Sequence, residues 1–253
     1  MAARLVLTDL DHTLLEADGS LSPEARAALD VLAARGIPLV PLTSKTESEL
    51  RAFLESLGLA YGVFENGAGL ITPEGLEISP AAVPAASLGT ALASAASDAR
   101  VRVKTLGAHT DAELTALTGL TGGDLERARE RRFGVPFLVE EGDADALLAV
   151  LSSRGVRTTR GGRFFHVSGN HDKGDFVPSL GARFLGSKGG EIAGFGDAPN
   201  DAAFLLRVDR PVIVPRANGP DPELLDLLRT SDVFVAPWPA GRGFAAALAE
   251  LLS

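Results

Sequence analysis

The sequence predicts an α/β fold: a parallel sheet covered on both faces, interrupted by a smaller α+β insert. Three observations carry that prediction. Continuous apolar runs of strand length alternate with helix signals in the first 72 residues. From about Pro84 the texture changes to proline, alanine and serine, followed by short strands and helices. The strands needed to finish the sheet then return, each followed by a helix.

Residues 4–10 form a short apolar strand. Ser22-Pro23 opens a helix, since serine can accept from first-turn amides and proline occupies a position whose N–H has no helical acceptor; Gly36 ends it. Residues 37–42 form a second strand, and Thr46-Glu-Ser-Glu49 is a capping box for a helix running to Gly58. Strands at 61–65 and 69–72 follow, and this series of continuous strands implies a parallel sheet. The uncharged run 78–97 has the length of a membrane span, yet Pro80, Pro84 and its serines make it a linker and a small-residue helix. Insert strands fall at 101–104, 135–139, 156–159 and 164–167, with helices at 124–132 and 143–154. The core resumes with strands at 191–196, 211–215 and 233–236. The expected domains are therefore 1–83 with 168–253 (core) and 84–167 (insert).

Charge narrows the function. The chain has 24 basic and 33 acidic residues, a net charge of -9, which argues against coating nucleic acid or an anionic membrane. Between Val83 and Val167 there are 11 basic and 10 acidic residues, against 13 and 23 elsewhere, so the acidity belongs to the core. Cysteine is absent, which excludes disulfides and thiol chemistry. Only His12, His109, His166 and His171 could supply imidazole, so any metal is expected to be a hard cation on oxygens. The first residues carry carboxylates where a signal peptide needs apolar side chains, and a cytoplasmic location is expected.

The chemistry concentrates at strand ends, where open α/β sheets bind ligands. The first strand ends in Asp9-Leu-Asp11-His-Thr13, two carboxylates that are costly to bury unless a cation or donor meets them. Such a pair suits a metal and a phosphate, one carboxylate attacking or ligating while the other manages a proton. The second strand ends in Thr43-Ser44-Lys45-Thr46, hydroxyls and a lysine at a helix start, where amides favour anions. Asp172-Lys173-Gly174 precedes an apolar helix, and Gly196-Asp197-Ala-Pro-Asn200-Asp201 puts two more carboxylates near each other after a strand. A dinucleotide-binding glycine fingerprint is missing after the first strand, which disfavours an oxidoreductase.

In this order, the four pieces resemble the motifs of the haloacid dehalogenase-like (HAD) phosphohydrolases. The insert resembles the large cap of their Cof-type branch, giving a Rossmann-like parallel-sheet core with an α+β cap domain. Residues 41–46, Glu65-Asn66-Gly67, residues 132–136 and residues 162–166 narrow the likeness to the mannosyl-3-phosphoglycerate phosphatase family. His12 departs from the pattern, standing where relatives usually have glycine. The resemblance implies Asp9 as nucleophile, Asp11 as acid and base, and Thr43 and Lys173 on the phosphate. It implies Mg²⁺ on Asp9, the Asp11 backbone and Asp197, with Asp201 behind them. Substrate contacts are expected from His12, Ser44, Lys45, Asn66, Gly67 and Asn200 on the core, and from Arg132, Arg163, His166, Ser168 and Asn170 on or beside the insert. The other insert arginines, Arg127 and Arg154 above all, are expected on a solvated face or in local salt bridges with Glu126, Glu130, Glu140 or Glu141. The expected substrate is a small anionic sugar phosphate; a homodimer is allowed, and another sugar-phosphate phosphatase, a phosphohexose mutase or a silent binding module are the alternatives. Retention of Asp9, Asp11, Thr43, Lys173 and Asp197 disfavours the silent module.

Overall fold

Alternation of apolar residues along the first strand, β1 (Ala3–Thr8), decides how the core is built. Val6 enters one hydrophobic cluster, while Leu5 and Leu7 enter another on the opposite face, because successive strand side chains point to opposite sides. The computed structural model describes residues 3–160 and 164–253. In chain order, β1 leads to α1 (Pro23–Ala34), β2 (Leu39–Pro41) and α2 (Glu47–Leu57). Three short strands follow, β3 (Gly62–Phe64), β4 (Gly69–Thr72) and β5 (Gly75–Ile78). The insert comprises α3 (Ala85–Ala99), β6 (Arg102–Thr105), α4 (Asp111–Thr118), α5 (Gly122–Arg129), β7 (Gly134–Glu141), α6 (Ala144–Ser153), β8 (Arg157–Arg160) and β9 (Phe165–Ser168). The core returns with α7 (Val177–Phe184), β10 (Glu191–Gly196), α8 (Ala202–Leu205), β11 (Arg210–Ile213), α9 (Pro222–Leu227), β12 (Phe234–Val235) and α10 (Ala240–Leu251).

The core sheet runs β12-β11-β10-β1-β2, with every pair parallel. Its order makes β1 and β10 central neighbours, so their carboxyl ends share one crevice. One face packs Phe244 and Leu248 of α10 with Ala25 and Leu32 of α1, and the other packs Leu180 of α7 with Phe204 of α8 and Leu224 of α9. The insert has its own cluster, in which Leu88 and Leu92 of α3 and Leu147 and Leu151 of α6 cover Phe137 and Val167 of an antiparallel sheet, β6-β7-β9-β8. No helix among the described residues is long and apolar enough to cross a membrane.

Two sequence expectations need correction, and one helix was missed. The strand at 69–72 does not join the parallel sheet: β3, β4 and β5 form a separate antiparallel sheet, linked to the core by a parallel bridge from Val63 to Leu42 and neighbouring backbone hydrogen bonds. The turn at Gly75, φ 140°, reverses the chain and supplies β4 with a local partner. The helix expected at 124–132 stops at Arg129, with Glu130 leaving helical geometry. Arg131 therefore lies beyond the helix and does not share a helical face with Arg127. Helix α4 was not foreseen, although Thr110 and Glu113 form a capping box at its start.

Candidate active site

Asp9 follows β1 at the carboxyl end of the sheet and is 7% exposed. Lys173, only 1% exposed, donates from Nζ to Asp9 Oδ1 at 2.6 Å and to Asp201 Oδ1 at 2.7 Å. Asp201 is folded back by the Pro199–Asp201 3₁₀ turn, and its Oδ2 accepts from the N–H groups of Asp197 and Ala198 at 2.9 and 3.0 Å. Gly196 is required there, since a Cβ on it would fall 2.6 Å from that of Asp201. Asp197, after β10, accepts from Thr13 Oγ1 at 3.2 Å and from Arg216 Nε at 2.6 Å. Ligand atoms of Asp9, Asp197 and Asp201 lie within 4.8 Å of one another.

On the neighbouring strand end, Thr43 is fully buried and its Oγ1 accepts from Lys45 N at 3.2 Å. Lys45 Nζ lies 2.9 Å from Asp11 Oδ1. Glu65 and Asn66 both have positive φ, 44° and 58°, held by hydrogen bonds from Glu65 N to Lys45 O and from Asn66 N to Thr43 O. Gly67 packs so tightly on the Lys173 loop that a Cβ would sit 1.9 Å from Asp172 O. Asn200 Nδ2 donates to Asn66 Oδ1 at 3.1 Å, tying this loop to the Asp197 segment.

Residues 6–82 match the family model for haloacid dehalogenase-like hydrolases. A glucosyl-3-phosphoglycerate/mannosyl-3-phosphoglycerate phosphatase of Persephonella marina is 28% identical, over 98% of this chain and 97% of its own. A second protein of that name, from Methanococcoides burtonii, is 29% identical over 87% and 88%. A crystallised phosphatase of the HAD superfamily from Bacteroides thetaiotaomicron superposes with a TM-score of 0.73 at 21% identity, covering 99% of this chain and 95% of that one. The chain is thus similar to haloacid dehalogenase-like hydrolases over residues 6–82 and to named phosphatases over most of its length. With phosphatases as full-length relatives, this hydrolase is a phosphatase.

The electrostatics of the hydrolase fit a divalent cation. Three clustered carboxylates meet two side-chain cations, Lys173 and Arg216, which leaves one negative charge when all are ionised. Burial, reinforced by Asp201 and Asp197, pushes Asp9 well above the usual carboxylate range against the opposing pull of Lys173. Asp197 is raised by burial and by Asp201, with Arg216 opposing. Burial works against the Lys173 ammonium, yet Asp201 and Asp9 outweigh it and hold its pKa above the ordinary value. A hard cation on these oxygens would relieve the remaining repulsion.

The other anticipated residues divide. His12 is exposed, with φ 65°, the left-handed conformation that glycine adopts at less cost. Ser44 offers its carbonyl to Arg131 at 3.0 Å. Arg132 donates to Glu47 Oε2 at 2.6 Å and lies 5.3 Å from the Phe133 ring centroid, so its charge is already engaged. Arg163 lies outside the described residues, as does Gly162. His166, half-buried on β9, has its pKa lowered to about 4 by desolvation and by Arg131. Ser168 Oγ donates to Gly169 O at 3.1 Å, and Asn170 is exposed. Arg127 and Arg154 do form salt bridges, but with Asp124 and Asp98 rather than with the glutamates expected from the sequence.

Sequence reasoning missed Arg216 as a partner of Asp197, although a basic residue just beyond an apolar strand was a usable signal. It also missed the work of Glu65, whose carboxylate is 3% exposed and accepts from Arg132 N and Phe133 N, both at 2.9 Å. That carboxylate clamps the insert to the core. Thr46 Oγ1 adds a second clamp by donating to Arg127 O at 2.9 Å while capping α2.

His166 yields a pH prediction. Its imidazole binds a proton more weakly in the fold than in the unfolded chain, with a pKa near 4 rather than 6.5, so stability is lost as pH falls through that window. The loss reaches up to about 3 kcal/mol, from about 1.4 kcal/mol per pKa unit. Urea unfolding in chelator at pH 7 and pH 4 should show His166→Gln losing less than wild type; parallel curves would rule out this origin.

Proposed function

We propose that this hydrolase is a Mg²⁺-dependent phosphomonoesterase that converts mannosyl-3-phosphoglycerate to mannosylglycerate and phosphate through an aspartyl-phosphate on Asp9. The observation that carries this reading is the buried Lys173 bridge between Asp9 and Asp201, set beside Asp197 at one end of a parallel sheet. Lys173 holds Oδ1 of Asp9, and among the described residues no donor reaches Oδ2, which is the oxygen available to attack phosphorus. As the new O–P bond forms, the ester O–P bond breaks and Asp11 gives its proton to the leaving alcohol. Asp11 then takes a proton from water, whose oxygen displaces Asp9 from phosphorus and releases phosphate. Lys45 orients Asp11 for both transfers. Thr43 and Lys173 receive the phosphoryl oxygens.

Asp9, Asp197 and the Asp11 backbone would hold Mg²⁺, with Asp201 and Lys173 fixing the ligands behind. The ion supplies charge neutralisation to a dianionic phosphoryl group that would otherwise face carboxylates. The insert, residues 84–167, acts as the cap: Glu65 and Thr46 hold it against the core, where it excludes water and supplies substrate contacts. The near-complete alignment with two phosphatases named for glucosyl- and mannosyl-3-phosphoglycerate supports the substrate.

Phosphate release from mannosyl-3-phosphoglycerate, glucosyl-3-phosphoglycerate, hexose 6-phosphates and sucrose 6-phosphate, with Mg²⁺ or with chelator, tests this. The phosphoglycerate esters should lead in kcat/KM by at least about tenfold, the scale of one well-placed contact. Chelation should abolish turnover. Hexose phosphates that match them would sink the substrate and leave the mechanism; activity in chelator would sink the metal.

A further inference from the structure

Five insert arginines, Arg102, Arg127, Arg129, Arg132 and Arg154, sit against carboxylates. Arg131 differs. Among the described residues no carboxylate lies within ion-pairing distance of it, and its Nη2 donates only to a carbonyl, Ser44 O, at 3.0 Å. Its Nε is buried and has no acceptor. A buried guanidinium N–H left without an acceptor is costly, and an anion drawn to the half-buried side chain would offset that cost.

Its position says which anion. Ser44 stands between Thr43, on the phosphate side of the site, and Lys45, which reaches Asp11. The backbone that carries Arg131 is fixed, because the next two N–H groups are held by Glu65. Across from it on β9 stands His166, kept neutral at pH 7 and free to hydrogen-bond without adding charge. Phosphate is taken by Thr43 and Lys173 on the core, so the guanidinium at the insert edge is left for a second acidic group on the same substrate. A carboxylate fits a guanidinium fork through two parallel hydrogen bonds.

We propose that Arg131, rather than its neighbour Arg132, is the specificity residue that receives the substrate's carboxylate. This rests on the reading of the enzyme as a phosphatase of phosphorylated sugar acids, and it identifies the residue that reads the acid. Arg132 is occupied by Glu47 and serves to dock the insert.

The test uses a matched pair, 3-phosphoglycerate and glycerol 3-phosphate, which differ at the carboxylate carbon, and the readout is the ratio of their kcat/KM values. Arg131→Met should lower the ratio about 30- to 100-fold, the size of a lost charge-assisted bidentate contact, mainly through KM of the acid. Arg131→Lys should restore part of it, and Arg132→Met should leave the ratio unmoved. Thermal melts establish that each variant is folded. If Arg131→Met slows both substrates equally, Arg131 merely holds the Ser44 loop and the proposal is overturned; a wild-type ratio near one overturns it too. If mannosyl-3-phosphoglycerate is not hydrolysed but the Arg131-dependent ratio persists, the named substrate falls and Arg131 stands.

Discussion

Asp9→Asn should lower kcat by about 10⁴-fold or more while leaving the protein folded. An amide oxygen is a poor nucleophile and its phosphoryl adduct does not form, so the loss falls on the chemical step rather than on binding. The stability side of the prediction has a definite sign. Burial, Asp201 and Asp197 raise the Asp9 pKa in the fold, so the carboxylate costs stability once pH exceeds its unfolded value, and at pH 7 that cost is present. A neutral amide removes it. In chelator at pH 7, Asp9→Asn should therefore melt no lower than wild type; with Mg²⁺ the order should reverse, because only wild type gains the full ligand set. Phosphate-release kinetics and melts with and without metal check both halves. A variant within tenfold of wild type in kcat would falsify the nucleophile assignment.

The carboxylate cluster was readable from the sequence because each member follows an apolar strand, and parallel sheets gather such strand ends at one edge. Thr46 and Glu49 announced α2 for an equally local reason, since a capping box is set by residues three apart. The pairing of β4 was not readable. Its residues are buried whichever strand they meet, and Gly75 decides the partner. The different surroundings of Arg131 and Arg132 were hidden too. The two are adjacent, helical periodicity ends at Arg129, and the contacts that separate them come from Glu47, Ser44 and Glu65, far away in sequence. Glu65 reads as the end of the strand at 61–65 in sequence, and only the insert's docking gives its carboxylate two amides to hold.

Lys173→Met is the substitution expected to cost most stability. The side chain is 1% exposed and meets two carboxylates whose side chains are 9% and 0% exposed. Methionine fills much of the volume but leaves Asp9 and Asp201 without their cation, and removing one partner of a buried ion pair costs about 3–5 kcal/mol. For a chain of this size that is a fall of roughly 10 °C in the melting midpoint. Lys173 has a raised pKa, so its contribution is complete below the unfolded value of 10.5 and lost only as pH rises beyond it. At pH 7 the whole deficit is therefore visible. It should shrink toward pH 4, where Asp9, its pKa raised by burial, protonates and no longer needs a cation. Mg²⁺ should recover more stability in Lys173→Met than in wild type, because it becomes the main counter-charge left in the cluster. Adding Asp201→Asn to Lys173→Met should restore part of the loss, since one uncompensated carboxylate is gone, and the double-mutant cycle measures that coupling. Melts of the four proteins in chelator at pH 7 and pH 4 decide it; a pH-independent deficit would mean that lost packing, and not charge, is what Lys173 supplies.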